Sequence, residues 1–414
     1  DIRAELESYG EIFFSDSDTE VVLKSYIRWG PDCLQKFNGM YAFGIHFLTD
    51  NSIFLARDRV GIKPLYYKTD QKSIYFASEL KPLLLTNNQE NKLNLPSMEF
   101  YLNYGYFPKE FTPVKNIQQL QPGHYLIWKN NKISINCYWD PSNYLPKKET
   151  SIEENIDLLS KLIIDSVKKQ SISDVEIGSF LSGGIDSGIV TSVLSNLNNK
   201  KLKTFSLGFA DYKHNELDLA KKNIDNINAV NFPYIATPKE MSDTFNILIS
   251  SLDQPLADTS MVPTFILSKF TKKHVKVVMS GDGGDELWGG YGNYKRFLQL
   301  EYIKKLLPRN FDTKNKFLLT TFVKSFLSQN YKKKFDLYNQ ILTYESKSWP
   351  KKLDSHLADL DITNILSDEI KKSNESDNAI MNLKLNNEEN SLNSYMLNDF
   401  KLFMVDDVLR KVDM

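Results

Sequence analysis

The run Phe180-Leu181-Ser182-Gly183-Gly184-Ile185-Asp186-Ser187 constrains the fold of this chain more than any other feature. The apolar stretch 175–181 predicts a buried strand, and the apolar periodicity of 185–197 predicts the helix that follows. A glycine-rich turn between a strand and a helix is typical of phosphate sites, because backbone N–H groups and the helix dipole both favour an anion there. The run lacks the Gly-Lys-Ser/Thr ending of a Walker A loop. An ordinary strand–turn–helix joint capped by Ser182 is the alternative.

Strands and helices alternate in the second part of the chain. Apolar runs predict strands at 175–181, 204–208, 232–235 and 275–279, and helical periodicity falls at 152–170, 185–197, 216–226, 238–252 and 264–271. This alternation predicts a doubly wound parallel sheet, which binds ligands at the carboxyl ends of its strands. From 291 onward the pattern is helical, and the polar stretch 371–390 is typical of a mobile loop or a solvated helix face.

The first part of the chain has a different pattern. Short strands are predicted at 41–47, 52–56, 65–68, 73–77, 125–128 and 133–135, joined by tight polar turns that favour antiparallel pairing. Helices are predicted at 2–9 and 21–29, and the proline-containing stretch 138–151 reads as a linker. We therefore expect domains at 1–140 and 152–414, with a linker at 141–151.

Composition excludes several classes of protein. With 41% hydrophobic and 25% charged residues and a net charge of -1, the chain has no general electrostatic attraction to nucleic acid or anionic membranes. No apolar run approaches the roughly 18 residues of a membrane span. The two cysteines, Cys33 and Cys137, lie far apart and favour a reducing cytoplasm over a disulfide scaffold. The five histidines do not cluster at metal-ligand spacings.

A second polar cluster, Ser280-Gly281-Asp282-Gly283-Gly284-Asp285-Glu286, directly follows the last predicted strand. Its backbone can approach a ligand at the glycines, and its carboxylates can hold Mg²⁺ or act as a general base. An acidic turn is the alternative. The placement after a parallel strand favours a functional cluster.

Three further segments carry polar side chains. In Asp253–Ser260, a cation or amine site is as well supported as a capped helix start at Asp258 or Thr259. Ser17-Asp18-Thr19-Glu20 indicates a helix N-terminus with Ser17 or Asp18 as its cap. The charged stretch Arg57–Tyr66 reads first as a solvated turn between strands.

Taken together, these motifs resemble a known family. The glycine loop is similar to the pyrophosphate loop of N-type ATP pyrophosphatases. Glutamine-dependent asparagine synthetases are similar to this chain in four segments that occur in the same order: the glycine loop, 204–209, 252–255 and the Ser280 cluster. The glutaminase domain of that family resembles three earlier segments: 17–20, 34–43 and 55–67. The resemblance implies a combination of α/β and α+β folds: an incomplete N-terminal-nucleophile antiparallel αββα glutaminase domain, and an incomplete doubly wound parallel-sheet ATP-pyrophosphatase domain.

The resemblance also implies chemistry and roles. ATP and Mg²⁺ would activate aspartate as β-aspartyl-AMP, and ammonia from glutamine would attack the adenylate. Pyrophosphate and Mg²⁺ would be bound by Ser182, Gly183, Gly184, Asp186 and Ser187, with Asp186 as the metal ligand. The nucleotide would contact Leu181, Leu207, Ser280 and Gly281. Asp282 and Lys411 would be catalytic, Asp285 and Glu286 would complete the aspartate site, and Asp18 would bind the glutamine α-amino group.

Several family features are missing from the chain. The nucleophilic Cys, an Arg and an Asn-Gly pair of the glutaminase would precede Asp1, and a further synthetase segment would follow Met414. We therefore expect a fragment, cut at both ends, that does not hydrolyse glutamine. Its small-molecule partners would be aspartate, glutamine and ATP, without nucleic acid or membrane; a homodimer is left open. An amidotransferase acting on another carboxylate, or a non-catalytic nucleotide-binding scaffold, are the alternative functions.

Overall fold

The computed structural model of this chain describes residues 1–86, 91–144, 151–198, 200–210, 216–225, 227–306, 341, 349–356, 380 and 391–413. These residues form two compact units. The first unit contains the described residues of 1–144, 355–356, 380 and 401–413, and the second contains those of 151–354 and 391–400. The expected boundaries 1–140, 141–151 and 152–414 stay a prediction; in the structure, residues 401–413 group with the first unit.

The first unit is built on antiparallel sheets, as predicted. One sheet has the strand order β1-β2-β6-β7 and the other the order β4-β3-β5. The strands are β1 (Ala42–Phe47), β2 (Ser52–Arg57), β3 (Tyr66–Thr69), β4 (Ile74–Ala77), β5 (Gln118–Gln119), β6 (His124–Lys129) and β7 (Lys132–Cys137). The helices are α1 (Ile2–Ser8), α2 (Asp18–Trp29), α3 (Cys33–Lys36), α4 (Leu80–Leu85) and α5 (Leu95–Tyr104). All three predicted hairpins are confirmed, and Asn51, Asn130 and Asn131 adopt the positive φ that tight turns require.

The core of this unit is aromatic. Tyr26 on α2 packs against Phe54 on β2 with ring centroids 4.5 Å apart, and Leu34 closes the same cluster. Both cysteines are free; Cys33 is buried in this cluster, and burial raises the pKa of its thiol to about 12. A thiol in this environment is inert, because only the thiolate is a nucleophile.

The expectation of a solvated turn after β2 is wrong. Arg57 and Asp58 are only 2% and 1% exposed. The Arg57 guanidinium donates to the carbonyl oxygens of Lys63, Gly61 and Leu120 at 2.7–2.8 Å. The Asp58 carboxylate accepts five backbone N–H groups, from residues 41, 60, 61, 62 and 63. Backbone groups satisfy both charges, so the turn is an internal scaffold rather than a solvated surface.

The last described residues pack in the first unit. A π-helical turn, Met404–Val408, buries Asp406, and a short helix, Leu409–Asp413, follows it. The Asp406 carboxylate accepts the Lys109 N–H at 2.7 Å and the Gln119 side-chain amide at 3.2 Å. Lys401 pairs with Asp140 at 2.7 Å. Sequence pattern gave no sign of this docking, because its partners lie almost 300 residues apart in the chain.

The second unit confirms the predicted parallel sheet, with the strand order β10-β9-β8-β11. Its strands are β8 (Ile177–Phe180), β9 (Leu202–Phe209), β10 (Ala229–Ala236) and β11 (Val277–Met279). Its helices are α6 (Ile152–Gln170), α7 (Ile185–Leu197), α8 (Glu216–Ile224), α9 (Pro238–Ser251), α10 (Met261–Thr271), α11 (Gly284–Trp288) and α12 (Gly292–Leu306), followed by Trp349–Asp354 and Leu392–Lys401.

Where the C-terminal third is described, it is helical as predicted. The polar stretch 371–390 lies outside the described residues except for Ile380. Within the described ranges, no helix combines the length and the apolar character needed to cross a lipid bilayer.

Candidate functional site

The two glycine-rich clusters lie at the carboxyl ends of neighbouring parallel strands. β8 and β11 pair in parallel, and their register matches Ser179 with Met279. The glycine loop that begins at Leu181 therefore starts beside the loop that begins at Ser280. This placement confirms the expectation that each cluster follows a parallel strand, at the edge where such sheets bind ligands.

The glycine loop is held in shape by its own two serines. The Ser182 and Ser187 hydroxyl oxygens lie 2.9 Å apart, and the Ser182 N–H donates to the Ser187 oxygen at 3.2 Å. The Gly184 N–H in turn donates to the Ser182 hydroxyl at 3.1 Å. Gly184 is the N-cap residue of α7 and has no side chain to occupy the space above the first helical turn. The arrangement leaves the helix N-terminus, with its first-turn N–H groups and positive dipole end, available to an anion.

The second cluster packs directly on Asp186 and Ser187. A Cβ at Gly281 would lie 2.7 Å from the Ser187 nitrogen, and one at Gly284 would lie 2.5 Å from Asp186 Cγ. No real Cβ approaches other atoms this closely, so both positions require glycine while Asp186 keeps its place. This close approach joins the two clusters into a single site.

Three carboxylates converge where the clusters meet. Burial raises the pKa of Asp285, and the neighbouring charges of Asp186 and Asp282 raise it further. Asp282 is exposed, whereas Asp186 and Asp285 are half-buried. A cation or a cationic ligand group would relieve the repulsion among these acids.

Glu286 is the buried acid of the site. It is 2% exposed, and its Oε1 accepts the Tyr291 hydroxyl at 2.7 Å. Burial is the largest cause that raises the Glu286 pKa, and burial also raises that of Tyr291. Among the described residues, none hydrogen-bonds the buried Oε2 of Glu286. A buried acceptor in this state favours a ligand that brings its own donor. No pattern in the sequence predicted the hydrogen bond from Tyr291 to Glu286.

The expected nucleotide contacts Leu181 and Leu207 sit on or beside the strands that lead into the site. Leu181 is 1% exposed; its N–H donates to Phe205 O at 2.9 Å, and its carbonyl accepts the Ser206 hydroxyl at 2.6 Å. Leu207 lies within β9 and is half-buried. The Ser206 hydroxyl also lies 3.0 Å from the side-chain oxygen of Asn231, to which it can donate. The sequence pattern did not predict this contact.

The Asp253–Ser260 loop has a structural role in the helix that follows. Asp258 accepts both the Ser260 N–H and its hydroxyl at 2.7 Å, just before α10 begins. Ser260, rather than Asp258 or Thr259, is the N-cap residue. In the same loop Gln254 is 3% exposed, and no described residue hydrogen-bonds its buried Oε1.

Two of the expected site residues belong to the first unit. Asp18 is the exposed first residue of α2, and Ser17 is its N-cap, accepting the Thr19 N–H at 3.1 Å. Lys411 is half-buried in the helix Leu409–Asp413. Their functional roles, like those of the residues in the second unit, stay predictions.

The carboxylates of this site suit a magnesium ion that is bound jointly by the protein and by substrate phosphates. In the part of the chain that the structure describes, no group of three or more His, Cys, Asp or Glu side chains is arranged to hold a metal by itself. Magnesium is commonly bound through one or two carboxylates together with substrate phosphates. Asp186, half-buried beside the glycine loop and close to the charge of Asp285, fits that mode.

Comparison with known proteins matches both parts of the chain. A family model described as asparagine synthase matches residues 158–414, and one described as glutamine amidotransferase domain matches residues 1–139. Asparagine synthetase (glutamine-hydrolysing) 1 of Bacillus subtilis is 35% identical over 307 residues, covering 74% of this chain and 48% of that protein. A Methanocaldococcus jannaschii protein with the same family name is 37% identical over 297 residues, covering 70% of this chain and 57% of that protein.

The chain spans about half the length of these curated relatives. Among solved structures, a Bacillus subtilis glutamine phosphoribosylpyrophosphate amidotransferase aligns with 57% of this chain and 58% of its own, at 12% identity and a TM-score of 0.26. A likeness at that level carries no argument about this chain.

Proposed function

This chain belongs to the asparagine synthase family, and we propose from that premise that its protein makes asparagine from aspartate, glutamine and ATP. The observation that carries the proposal is the packing of Gly281 and Gly284 against Asp186 and Ser187. It combines an anion-binding helix N-terminus with a cluster of carboxylates. Adenylation of aspartate would use both, because the reaction releases an anionic leaving group and this substrate carries an ammonium group.

The proposed reaction uses ammonia that is released when water cleaves the side-chain amide of glutamine and leaves glutamate. The synthetase half then has two steps. An oxygen of the aspartate β-carboxylate attacks the α-phosphorus of ATP, the bond from that phosphorus to the β-phosphate oxygen breaks, and β-aspartyl-AMP and pyrophosphate form. Ammonia then attacks the activated carbonyl carbon, AMP leaves with the bonding electron pair, and the nitrogen loses a proton to give asparagine.

In this proposal, different residues of the second unit bind the pyrophosphate, the metal ion and the nucleotide. The N-terminus of α7 and the hydroxyl groups of Ser182 and Ser187 bind the pyrophosphate, where negative charge grows as the bond breaks. Asp186 holds Mg²⁺ against the phosphates; when bound, this ion supplies charge neutralisation of the leaving group. Leu181, Leu207, Ser280 and Gly281 contact the nucleotide. Asp282, beside them, is the acid that acts on the adenylate.

Aspartate recognition falls to the acids near Asp282. Asp285 and Glu286 accept the substrate ammonium group, which supplies the donor that the buried Oε2 of Glu286 otherwise lacks. In the first unit, Asp18 binds the α-amino group of glutamine. A catalytic role for Lys411 follows only from the family resemblance. A cytoplasmic location is part of the proposal, because ATP and both amino acids are cytoplasmic metabolites.

Pyrophosphate release tests the synthetase half of the proposal. We expect the full-length protein to release pyrophosphate only when ATP and aspartate are both present, and we expect Asp186→Ala in that protein to lower the release at least 100-fold. Asp165→Ala is the matched control, because Asp165 pairs with Lys169 on the surface of α6. Full release by Asp186→Ala would remove the glycine loop from the mechanism.

A panel of acceptors tests the substrate. Ammonium chloride replaces glutamine in this assay, so that only the synthetase half is measured. Aspartate is compared with glutamate, a sugar acid and a carboxylate-bearing peptide. Release with another acid but not with aspartate would favour an amidotransferase of different specificity. ATP binding without release for any acid would favour a nucleotide-binding scaffold.

A further inference from the structure

One carboxylate holds the loop that precedes α2 in the first unit. Glu20 accepts the Phe14 N–H at 3.0 Å, the Ser15 N–H at 2.8 Å and the Ser15 hydroxyl at 2.7 Å. Its side chain is 16% exposed. These bonds lower the pKa of Glu20, the Phe14 N–H contributing most, so the carboxylate is charged at neutral pH. Hydrogen bonds to a charged acceptor are about twice as strong as neutral ones.

The Ser15 hydroxyl links the Glu20 carboxylate to Ser17. Its oxygen accepts the Ser17 N–H at 3.4 Å while its proton goes to Glu20. The Ser17 hydroxyl accepts the Thr19 N–H, and the Ser17 carbonyl accepts a guanidinium N–H of Arg3 at 3.3 Å. Ser17 is thus held at its N–H, its side chain and its carbonyl. The next residue in the chain is Asp18, whose carboxylate is exposed.

Helix capping alone does not account for this arrangement. In a capping box, the acid at the third helical position accepts the N–H of the N-cap residue itself. Glu20 occupies that position, but it binds residues 14 and 15, and Ser15 takes over the bond to the N-cap Ser17. The Glu20 carboxylate therefore holds the loop that precedes α2 as well as the first turn of the helix.

Other contacts hold the same loop from its sides. The Arg3 guanidinium lies 4.3 Å from the centroid of the Phe13 ring. Lys24 lies 5.2 Å from that ring and forms ion pairs with Glu11 at 3.5 Å and with Glu20 at 3.8 Å. Glu11 pairs with the same lysine as Glu20, whereas the hydrogen bonds to Phe14 and Ser15 are made by Glu20, so Glu11 is a matched control.

We propose that Glu20 is a positioning residue for glutamine: by fixing residues 14–17 it sets the place of the Asp18 carboxylate that receives the α-amino group. The inference rests on the proposed glutamine-binding role of Asp18. Glu20 acts through Ser15 and Ser17, and it does not contact the substrate.

Glutamine titration combined with hydrogen exchange tests this role on the full-length protein that contains this chain. Calorimetry with L-glutamine gives the dissociation constant, and exchange reports the Phe14 and Ser15 amides. We expect Glu20→Gln to weaken glutamine binding about 10-fold or more and to speed exchange of both amides by a similar factor. Glu11→Gln should change neither by more than about 2-fold. Ser15→Ala, which keeps the carboxylate and removes the hydroxyl bridge, should weaken binding by a smaller factor.

The outcomes separate this inference from the function on which it rests. Wild-type affinity in Glu20→Gln, with fast exchange at Phe14 and Ser15, would overturn the positioning role and leave glutamine binding in place. If the wild-type chain and Glu11→Gln both fail to bind L-glutamine, the glutamine-binding proposal is overturned, and this inference with it. If Glu20→Gln does not fold, wild-type affinity in Ser15→Ala would overturn the bridge through Ser15.

Discussion

At the scale of single residues, the site depends on glycines that make room for an acid. Gly284 faces Asp186, and Gly281 faces the backbone of Ser187. A side chain at either position would have to displace a group to which we assign pyrophosphate or metal binding. Glycine at these positions is therefore required by a tertiary contact, which the local turn alone does not reveal.

Gly284→Ala should damage function more than stability. The new Cβ would fall 2.5 Å from Asp186 Cγ, so the Asp186 carboxylate must move while the backbone around it stays in place. We expect aspartate-dependent pyrophosphate release to fall at least 10-fold with only a small change in melting temperature. Gly188→Ala is the control, because its Cβ would meet only Asn223 at 3.6 Å and alanine stabilises a helix interior by about 1 kcal/mol. Unchanged release by Gly284→Ala would mean that Asp186 need not hold its observed position.

At the scale of elements, the π-helical turn Met404–Val408 places a buried acid against the turn after β2. The groups facing Asp406 are the guanidiniums of Arg57 and Arg410, the Lys109 N–H and the Gln119 amide. Burial nonetheless dominates and raises the Asp406 pKa to about 7. A carboxyl with this pKa in a docked segment makes the docking sensitive to pH.

The direction of that dependence follows from the two pKa values. In an unfolded segment the Asp406 carboxyl would titrate near pH 3.9, about three units below its folded value. Its stabilising contribution is therefore complete below about pH 4 and is lost as the pH rises through about 7. We expect opening of the turn, measured by hydrogen exchange at residues 402–410, to become easier between pH 5 and pH 8. Asp406→Asn should remove most of this pH dependence. If that variant shows a pH dependence of equal slope, another titrating group is responsible for it.

At the scale of the whole molecule, the first unit is assembled from distant parts of the sequence. Residues 401–413 contact it through Asp406, through Lys401 and through two further side-chain pairs, Arg410 with Tyr66 and Asp413 with Lys63. Five apolar side chains of that segment are also buried: Leu402, Met404, Val405, Val408 and Leu409.

Residues 1–144 expressed alone should therefore be less stable than the first unit of the whole chain. The isolated segment loses the two hydrogen bonds to Asp406 and the burial of Met404 and Val405. This loss should lower its free energy of unfolding by at least about 3 kcal/mol. Thermal unfolding followed by circular dichroism checks this, with a peptide of residues 401–414 added back to the isolated segment. Equal melting temperatures with and without the C-terminal residues would show that the docking contributes little.

Local sequence patterns are enough to predict most of the strands and helices of the second unit and its two glycine-rich clusters. Helix boundaries such as 152–170 and 185–197 agree with the structure, because periodicity and capping residues are local signals. The strands β8 and β11 are shorter than predicted but lie within the predicted stretches. Strand alternation also predicts that the Ser182 and Ser280 loops lie at the same edge of a parallel sheet, and the observed pairing of β8 with β11 makes these loops neighbours.

Which charged residues are buried, and which groups they bind, depends on tertiary contacts that local patterns do not reveal. The stretch after β2 looks like a solvated turn in sequence, yet Arg57 and Asp58 are enclosed, because carbonyl and N–H groups of the folded backbone satisfy them. The same holds for Asp406, docked far along the chain, and for Glu286 with Tyr291. A charge can be buried only where other parts of the chain supply its partners, and no local pattern of residues records which parts those will be.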